Sequence, residues 1–213
     1  MTPRYHPSDD RLLDHATGAL GAGQGSVISA HLRACAACRA KVELGEAIGG
    51  SLLSALPPAV MSPDALAHAL AQIERREPAS PAAPRAAPPA WVEDAAPLIK
   101  SAWRRRRWAA PGVWVASVDR SAGGGRTYLL RVGAGMSVPR HSHRGAEMVC
   151  VLKGAFVDGG QTFQRGDYAE SDETVDHSPR VTADDECVCL ISAEGALIAR
   201  DWVGRFFQPI VRI

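Results

Sequence analysis

The stretch Gly135-Met136-Ser137-Val138-Pro139-Arg140-His141-Ser142-His143-Arg144-Gly145-Ala146-Glu147, closed by Gly154, decides the fold. In a strand, residues two apart share a face, so His141 and His143 point the same way and Glu147 follows on the next strand segment. Two imidazoles and a carboxylate presented by short strands describe a metal site on a β-barrel. The neighbouring sequence agrees. Short apolar runs rich in Val, Tyr, Phe and Leu, at 113–118, 127–132, 147–152 and 187–192, are broken by glycine turns. Asp158-Gly159-Gly160, set between Phe156 and Phe163, reads as a tight hairpin. Strands this close together, with no helical pattern between them, predict an antiparallel sandwich or barrel.

Upstream the texture differs. Apolar residues recur at helical spacing over 9–19, 26–48 and 63–76, and Ser62 before Pro63 and Asp64 has the chemistry of a helix start. Between the two textures, 77–97 carries too much proline and alanine for a helix interior or a central strand. The expected organisation is therefore multi-domain, α plus all-β. A small helical bundle at 1–76 is joined by a Pro/Ala-rich linker at 77–97 to a β-barrel of jelly-roll type at 98–213.

Composition narrows the function. The chain has 213 residues, 46% hydrophobic and 22% charged, enough for a packed core. A net charge of +1 gives no electrostatic reason for direct nucleic-acid binding. No apolar run approaches the roughly 20 residues that cross a bilayer, so a soluble, cytoplasmic protein without membrane contact is expected. Five cysteines, an odd number, favour metal ligation or thiol chemistry over a disulfide framework. The run Arg104 to Arg107, between Trp103 and Trp108, reads as a solvated edge near the start of the barrel.

A second donor cluster stands near the N-terminus. On one helix, His31, Cys35 and Cys38 fall at i, i+4 and i+7 and share a face. If the helix breaks near Cys35, the Cys-x-x-Cys turn still converges with His31. His6, beside Pro7 on a segment that a metal could pin down, is the natural fourth ligand. Two thiolates and two imidazoles suit zinc. In a domain of about 75 residues the ion would be structural, contributing on the order of 10 kcal/mol. Two alternatives stand beside this: small buried cysteines with surface histidines, and a thioredoxin-type redox pair, for which the preceding strand is missing. His15 and His68 have no partners at ligand spacing and read as solvated.

The pattern His31-x-x-x-Cys35-x-x-Cys38 in a short helical domain resembles the zinc-binding anti-sigma domain family. The segment Gly135-x5-His141-x-His143-x3-Glu147-x6-Gly154 is similar to the first cupin motif at every spacing. The cupin resemblance implies a fourth ligand from a second motif, whose Gly-Asp turn is kept at Gly166-Asp167, and His177 is the histidine left downstream. Two departures stand out: Gln164 where the family has proline before that turn, and a long interval through Glu170-Ser171-Asp172-Glu173. Three imidazoles and a carboxylate suit zinc, with iron and manganese compatible.

Together the two motifs resemble the ChrR-type anti-sigma factors. That resemblance implies a cytoplasmic, non-enzymatic regulator that holds an extracytoplasmic-function (ECF) sigma factor in a one-to-one complex through its N-terminal domain. Release would follow an oxidative signal, singlet oxygen or a related electrophile, that requires the cupin domain. Cys187 and Cys189, two apart on one strand face, are candidate redox residues, and small packing residues on the plain reading. The rival reading is a metal-dependent cupin dioxygenase or isomerase with a helical oligomerisation domain.

Overall fold

The computed structural model describes residues 2–74, 97–120 and 125–200. Three helices open the chain: α1 (Asp9–Ala16), α2 (Ala22–Ala34) and α3 (Ala36–Ser54). The helix α1 begins at Ser8, whose side chain accepts from Arg11 N, with Asp9 and Asp10 in the first turn complementing the helix dipole. The expected single helix over 26–48 is two helices. Cys35 stands between them in an extended conformation (φ −118°, ψ 103°) and caps the second. Then comes α4 (Ala65–Glu74), two residues later than Pro63 suggests. The boundary expected at 76 and all but the last residue of the expected linker at 77–97 lie outside the described residues. Pro97 opens α5 (Pro97–Arg104), as proline favours the first helical turn.

The β portion is a two-layer antiparallel sandwich. Its large sheet contains β1 (Arg107–Ala110), β2 (Val113–Arg120), β3 (Arg126–Val132), β5 (Glu147–Lys153), β8 (Tyr168–Ser171) and β11 (Cys187–Ala193), in the order β1-β2-β3-β11-β5-β8. Opposite lie two three-stranded sheets. One holds β6 (Ala155–Asp158), β7 (Gln161–Gln164) and β10 (Arg180–Val181); the other holds β4 (His141–Ser142), β9 (Asp176–His177) and β12 (Ile198–Ala199). The predicted hairpin is β6–β7, with Phe156 opposite Phe163.

Both faces of the large sheet are covered. Cys187, Cys189, Ile191 and Ala193 of β11 face the sandwich interior with Val115, Tyr128, Phe156, Phe163 and Val181. Val188 and Leu190 face the other way, into a core shared with Val27 and Ile28 of α2, Ile99 and Ala102 of α5, and Leu12, Cys35, Cys38 and Val42. The helices thus pack directly on the outer face of the sheet. Contact is close at Gly23 of α2, where a Cβ would stand 2.0 Å from Thr127 Oγ1 and 2.8 Å from Ser192 Oγ. Only glycine lets the helix come this near.

Candidate metal centres

The break at Cys35 builds the first cluster. It lets α2 deliver His31 from its last turn while α3 delivers Cys38 from its first, and Cys35 Sγ accepts from Cys38 N at 3.4 Å. His6, from the segment before α1, brings Nδ1 to 3.4 Å from both sulfurs. A tetrahedral zinc with its usual bond lengths sets sulfur and nitrogen about 3.5 Å apart, so the four residues fit the ion. His31 Nδ1 is engaged by the Gly166 carbonyl at 2.7 Å, leaving its buried Nε2 without a hydrogen-bond partner and aimed as the donor. Burial pushes the Cys38 thiol up to about 11, with Cys35 adding to the shift, and pushes His31 down. The imidazole is therefore biased toward its neutral, ligating form, and the Cys38 thiol would lose its proton to solvent as a cation binds the sulfur.

The second cluster sits at the mouth of the sandwich. Its donors come from paired strands: His141 on β4 is in direct register with His177 on β9, and Glu147 opens β5. His143 Nε2 and His141 Nε2 lie 3.0 and 3.1 Å from His177 Nε2. An ion bonded to two imidazoles at the usual distance holds them about 3.3 Å apart, so this donor set also fits. The remaining ring nitrogens fix the tautomers. His141 Nδ1 donates to Pro139 O (2.8 Å) and His177 Nδ1 to Asp158 Oδ2 (2.5 Å), so in the neutral ring Nε2 is the nitrogen with the lone pair. Burial pushes His143 down to about 4, with His141 and His177 adding to it, and pushes Glu147 up to about 7. Tyr128 OH donates to Glu147 Oε2 at 3.4 Å and holds the carboxylate back toward the ionised form.

The structure brings together His6, His31, Cys35 and Cys38, and separately His141, His143, Glu147 and His177, with the donor atoms of each group within 4.8 Å of one another. The continuous i, i+4, i+7 helix face does not occur, and the convergence comes from the interhelical turn. Cys187 and Cys189 share a face as expected, their thiols in a hydrogen bond of 3.7 Å between the sulfurs, with no disulfide. With His141 and Glu147 they line a small cavity of about 70 Å³ inside the sandwich. His68 is exposed on α4 and pairs with Asp64. His15, half-buried on α1, belongs to neither cluster. Asp158 and Tyr128 are not among the expected site residues. Strand alternation places Tyr128 on the inward face with Leu130, whereas Asp158 carries only a turn signal. His6 and His177 line one surface cleft of about 860 Å³, so both clusters open toward the same solvent.

A family model described as the ChrR Cupin-like domain matches residues 99–197. The chain is 35% identical to the anti-sigma-E factor ChrR of Cereibacter sphaeroides over the full length of both. The chain belongs to the ChrR family of anti-sigma factors. In the crystal structure of Rhodobacter sphaeroides SigE in complex with the anti-sigma ChrR, one chain superposes on it with a TM-score of 0.70 at 31% identity, covering 90% of this chain and 99% of that one. The ChrR family is one of regulators, not enzymes. The matched family model falls on the cupin-like sandwich and α5, downstream of α2 and α3, whose residues, with His6 and the intervening Cys35, form the His/Cys group.

Proposed function

We propose that this protein is a cytoplasmic anti-sigma factor. It holds an ECF-type sigma factor inactive in a one-to-one complex through its N-terminal helices, with zinc in the thiolate site, and releases it when an oxidative signal reaches the cupin domain. The observation that carries this reading is an unpartnered apolar stripe. Leu44, Ile48 and Leu52 recur at four-residue spacing along α3, each more than half exposed, and Leu66, Leu70 and Ile73 form a matching stripe on α4. The first half of α3 packs through Cys38 and Val42, but from Leu44 onward it lies largely exposed, as does α4; apolar rows left in solvent mark partner surfaces, and apolar helix stripes are a recurring mode of helix-in-groove recognition.

Zinc is the favoured ion in the thiolate site because two thiolates and two imidazoles match its preference for borderline-soft, tetrahedral ligands. The barrel site, with three imidazoles and a carboxylate, also suits zinc, with iron and manganese as competitors. When bound, the ion there supplies a fixed positive charge beside Glu147. The chain's own residues do the rest: Asp158 orients His177, Pro139 O orients His141, and the large sheet excludes water beneath them. The oxidative signal acts at this mouth or at Cys187 and Cys189 below it. Among the described residues, no helix is long and apolar enough to cross a membrane.

The test is co-expression with an untagged ECF-type sigma factor, followed by elemental analysis of whatever co-purifies. A stoichiometric complex carrying about two ions per chain, zinc among them, is expected. The complex should be lost when the apolar stripe of α3 is disrupted, for which Leu52→Asp with Leu44→Asp is the direct variant. Retention of the sigma factor by that variant, or turnover of a small substrate by the isolated protein, overturns the reading.

A further inference from the structure

We propose that the cupin turn Gly166-Asp167-Tyr168 is the outer shell of the N-terminal metal site, so that the barrel itself positions two of that site's four donors. The proposal rests on that site holding a metal.

Three contacts carry it. The Gly166 carbonyl accepts from His31 Nδ1 at 2.7 Å, which fixes the ring and frees Nε2 for the ion. Asp167 is fully buried, and its two oxygens do different work. Oδ2 accepts from Gln164 N at 2.8 Å, closing its own turn, as a turn aspartate ordinarily does. Oδ1 has no role inside the barrel. It accepts from Arg4 N at 2.6 Å and Tyr5 N at 3.2 Å, the residues immediately before His6. Tyr168 N completes the clamp by donating to Tyr5 O at 3.1 Å, so residues 4–5 lie along the open edge of β8. The Tyr5 ring rests against Phe163 with centroids 4.5 Å apart. His31 is thus held directly, and His6 through the strap that precedes it.

The turn is rigid enough to act as a template. Gly166 N donates to Val151 O at 2.8 Å and Val151 N to Asp167 O at 3.1 Å, tying the turn to β5 in the large sheet. Its approach to the helices is as close as a backbone allows. Gly166 sits at φ +92°, and a Cβ there would stand 2.8 Å from Ala34 Cβ and 3.0 Å from Pro3 Cγ. Groups that hydrogen-bond a metal-ligating imidazole set its orientation and basicity, and losing one typically weakens metal binding about 10- to 100-fold. Asp167, Gly166 and Tyr5 are positioning residues in this sense, since none of them is a donor to the ion.

The experiment uses the full chain loaded with Co(II). Only the site with cysteine ligands gives a thiolate-to-cobalt charge-transfer band, so release to excess chelator can be followed at each site separately, by that band and by total cobalt. Asp167→Asn and Tyr5→Ala are expected to speed release from the thiolate site about tenfold or more, while release from the His/Glu site stays within about twofold of wild type. If Asp167→Asn also empties the barrel site, Tyr5→Ala decides, because it leaves the barrel's own hydrogen bonds in place. Unchanged release from the thiolate site in both variants, or equal acceleration at both sites, overturns the proposal. A wild-type chain that never develops the band overturns the metal reading and this inference together; a band indifferent to both substitutions overturns this inference alone.

Discussion

The two donor clusters are opposite solutions to one problem. In the barrel, the imidazoles of His141 and His177 are brought opposite each other by strand register, so the fold assembles the site before any ion arrives. At the N-terminus, the four donors come from a strap, the end of α2, a turn and the start of α3, and no ladder joins them. There the barrel turn steadies only His31 and the strap before His6, and the ion would join them to the two sulfurs and lock α2 to α3. An ion can therefore be removed from the barrel at modest structural expense, whereas its removal from the helices dismantles the surface that carries the apolar stripe.

The largest effect that would break this contrast is at the thiolate site. Cys38→Ala is expected to abolish metal binding there and to unfold the helical layer, with a loss on the order of 10 kcal/mol of metal-linked stability. Amide exchange over 2–54 should rise to that of unfolded chain, and sigma-factor capture should vanish. Protection unchanged from wild type would show that the helices stand without their ion. Next in size, His143→Ala should weaken the barrel ion by more than about 100-fold yet leave sigma-factor capture intact, as measured by elemental analysis of the captured complex. Loss of capture would place the barrel ion among the determinants of the helical surface. Asp158→Asn, which removes only the charge behind His177, should cost about 10- to 100-fold in barrel-ion affinity, read by competition with a chromophoric chelator.

The smallest effect is a proton count. Burial holds the Glu147 carboxyl at about 7 and His143 at about 4 in the cation-free site. Below about pH 7, Glu147 therefore carries a proton that an entering cation must expel, while His143 is already neutral down to about pH 4. With the thiolate site pre-filled, Glu147 is expected to contribute about one proton to the release on metal uptake at about pH 6 and almost none above about pH 8, read as the difference between wild type and Glu147→Gln. Affinity should fall up to about tenfold per pH unit below about 7. Buffer-dependent calorimetry measures the count, and a flat profile would remove Glu147 from the donor set.

Much of this is legible in the sequence because its signals are local. The i, i+2 pair His141/His143, the Asp158-Gly159-Gly160 hairpin and the Cys-x-x-Cys turn each need only a few consecutive residues to specify their geometry. The strand ranges read from apolar runs fall within a residue or two of β2, β3, β5 and β11. The helix break at Cys35 is not specified by pattern, because Ala34, Ala36 and Ala37 are as compatible with a continuous helix as with a turn. The contact of helices with barrel escapes a reading of the sequence for a different reason: it joins residues more than about 100 positions apart, as Gly23 and Thr127 show. A signal for it is nevertheless present. The runs Met148-Val149-Cys150-Val151 and Cys187-Val188-Cys189-Leu190-Ile191 do not alternate apolar with polar, and unbroken apolar strands are those covered on both faces. Asp167 is the deeper omission, since nothing in a Gly-Asp turn declares that one carboxylate oxygen serves a segment at the other end of the chain.

The strand β11 has a mechanical consequence. Every one of its seven residues is buried, so it is a shared wall between two filled rooms. On the helix side, where Val188 and Leu190 are fully buried, packing of this kind cannot absorb added volume locally. A sulfur at 187 or 189 that gains oxygen atoms first fills the small cavity it shares with His141 and Glu147, and on the far side of the same strand stand Val27 and Ile28 of α2, the helix that ends just past His31.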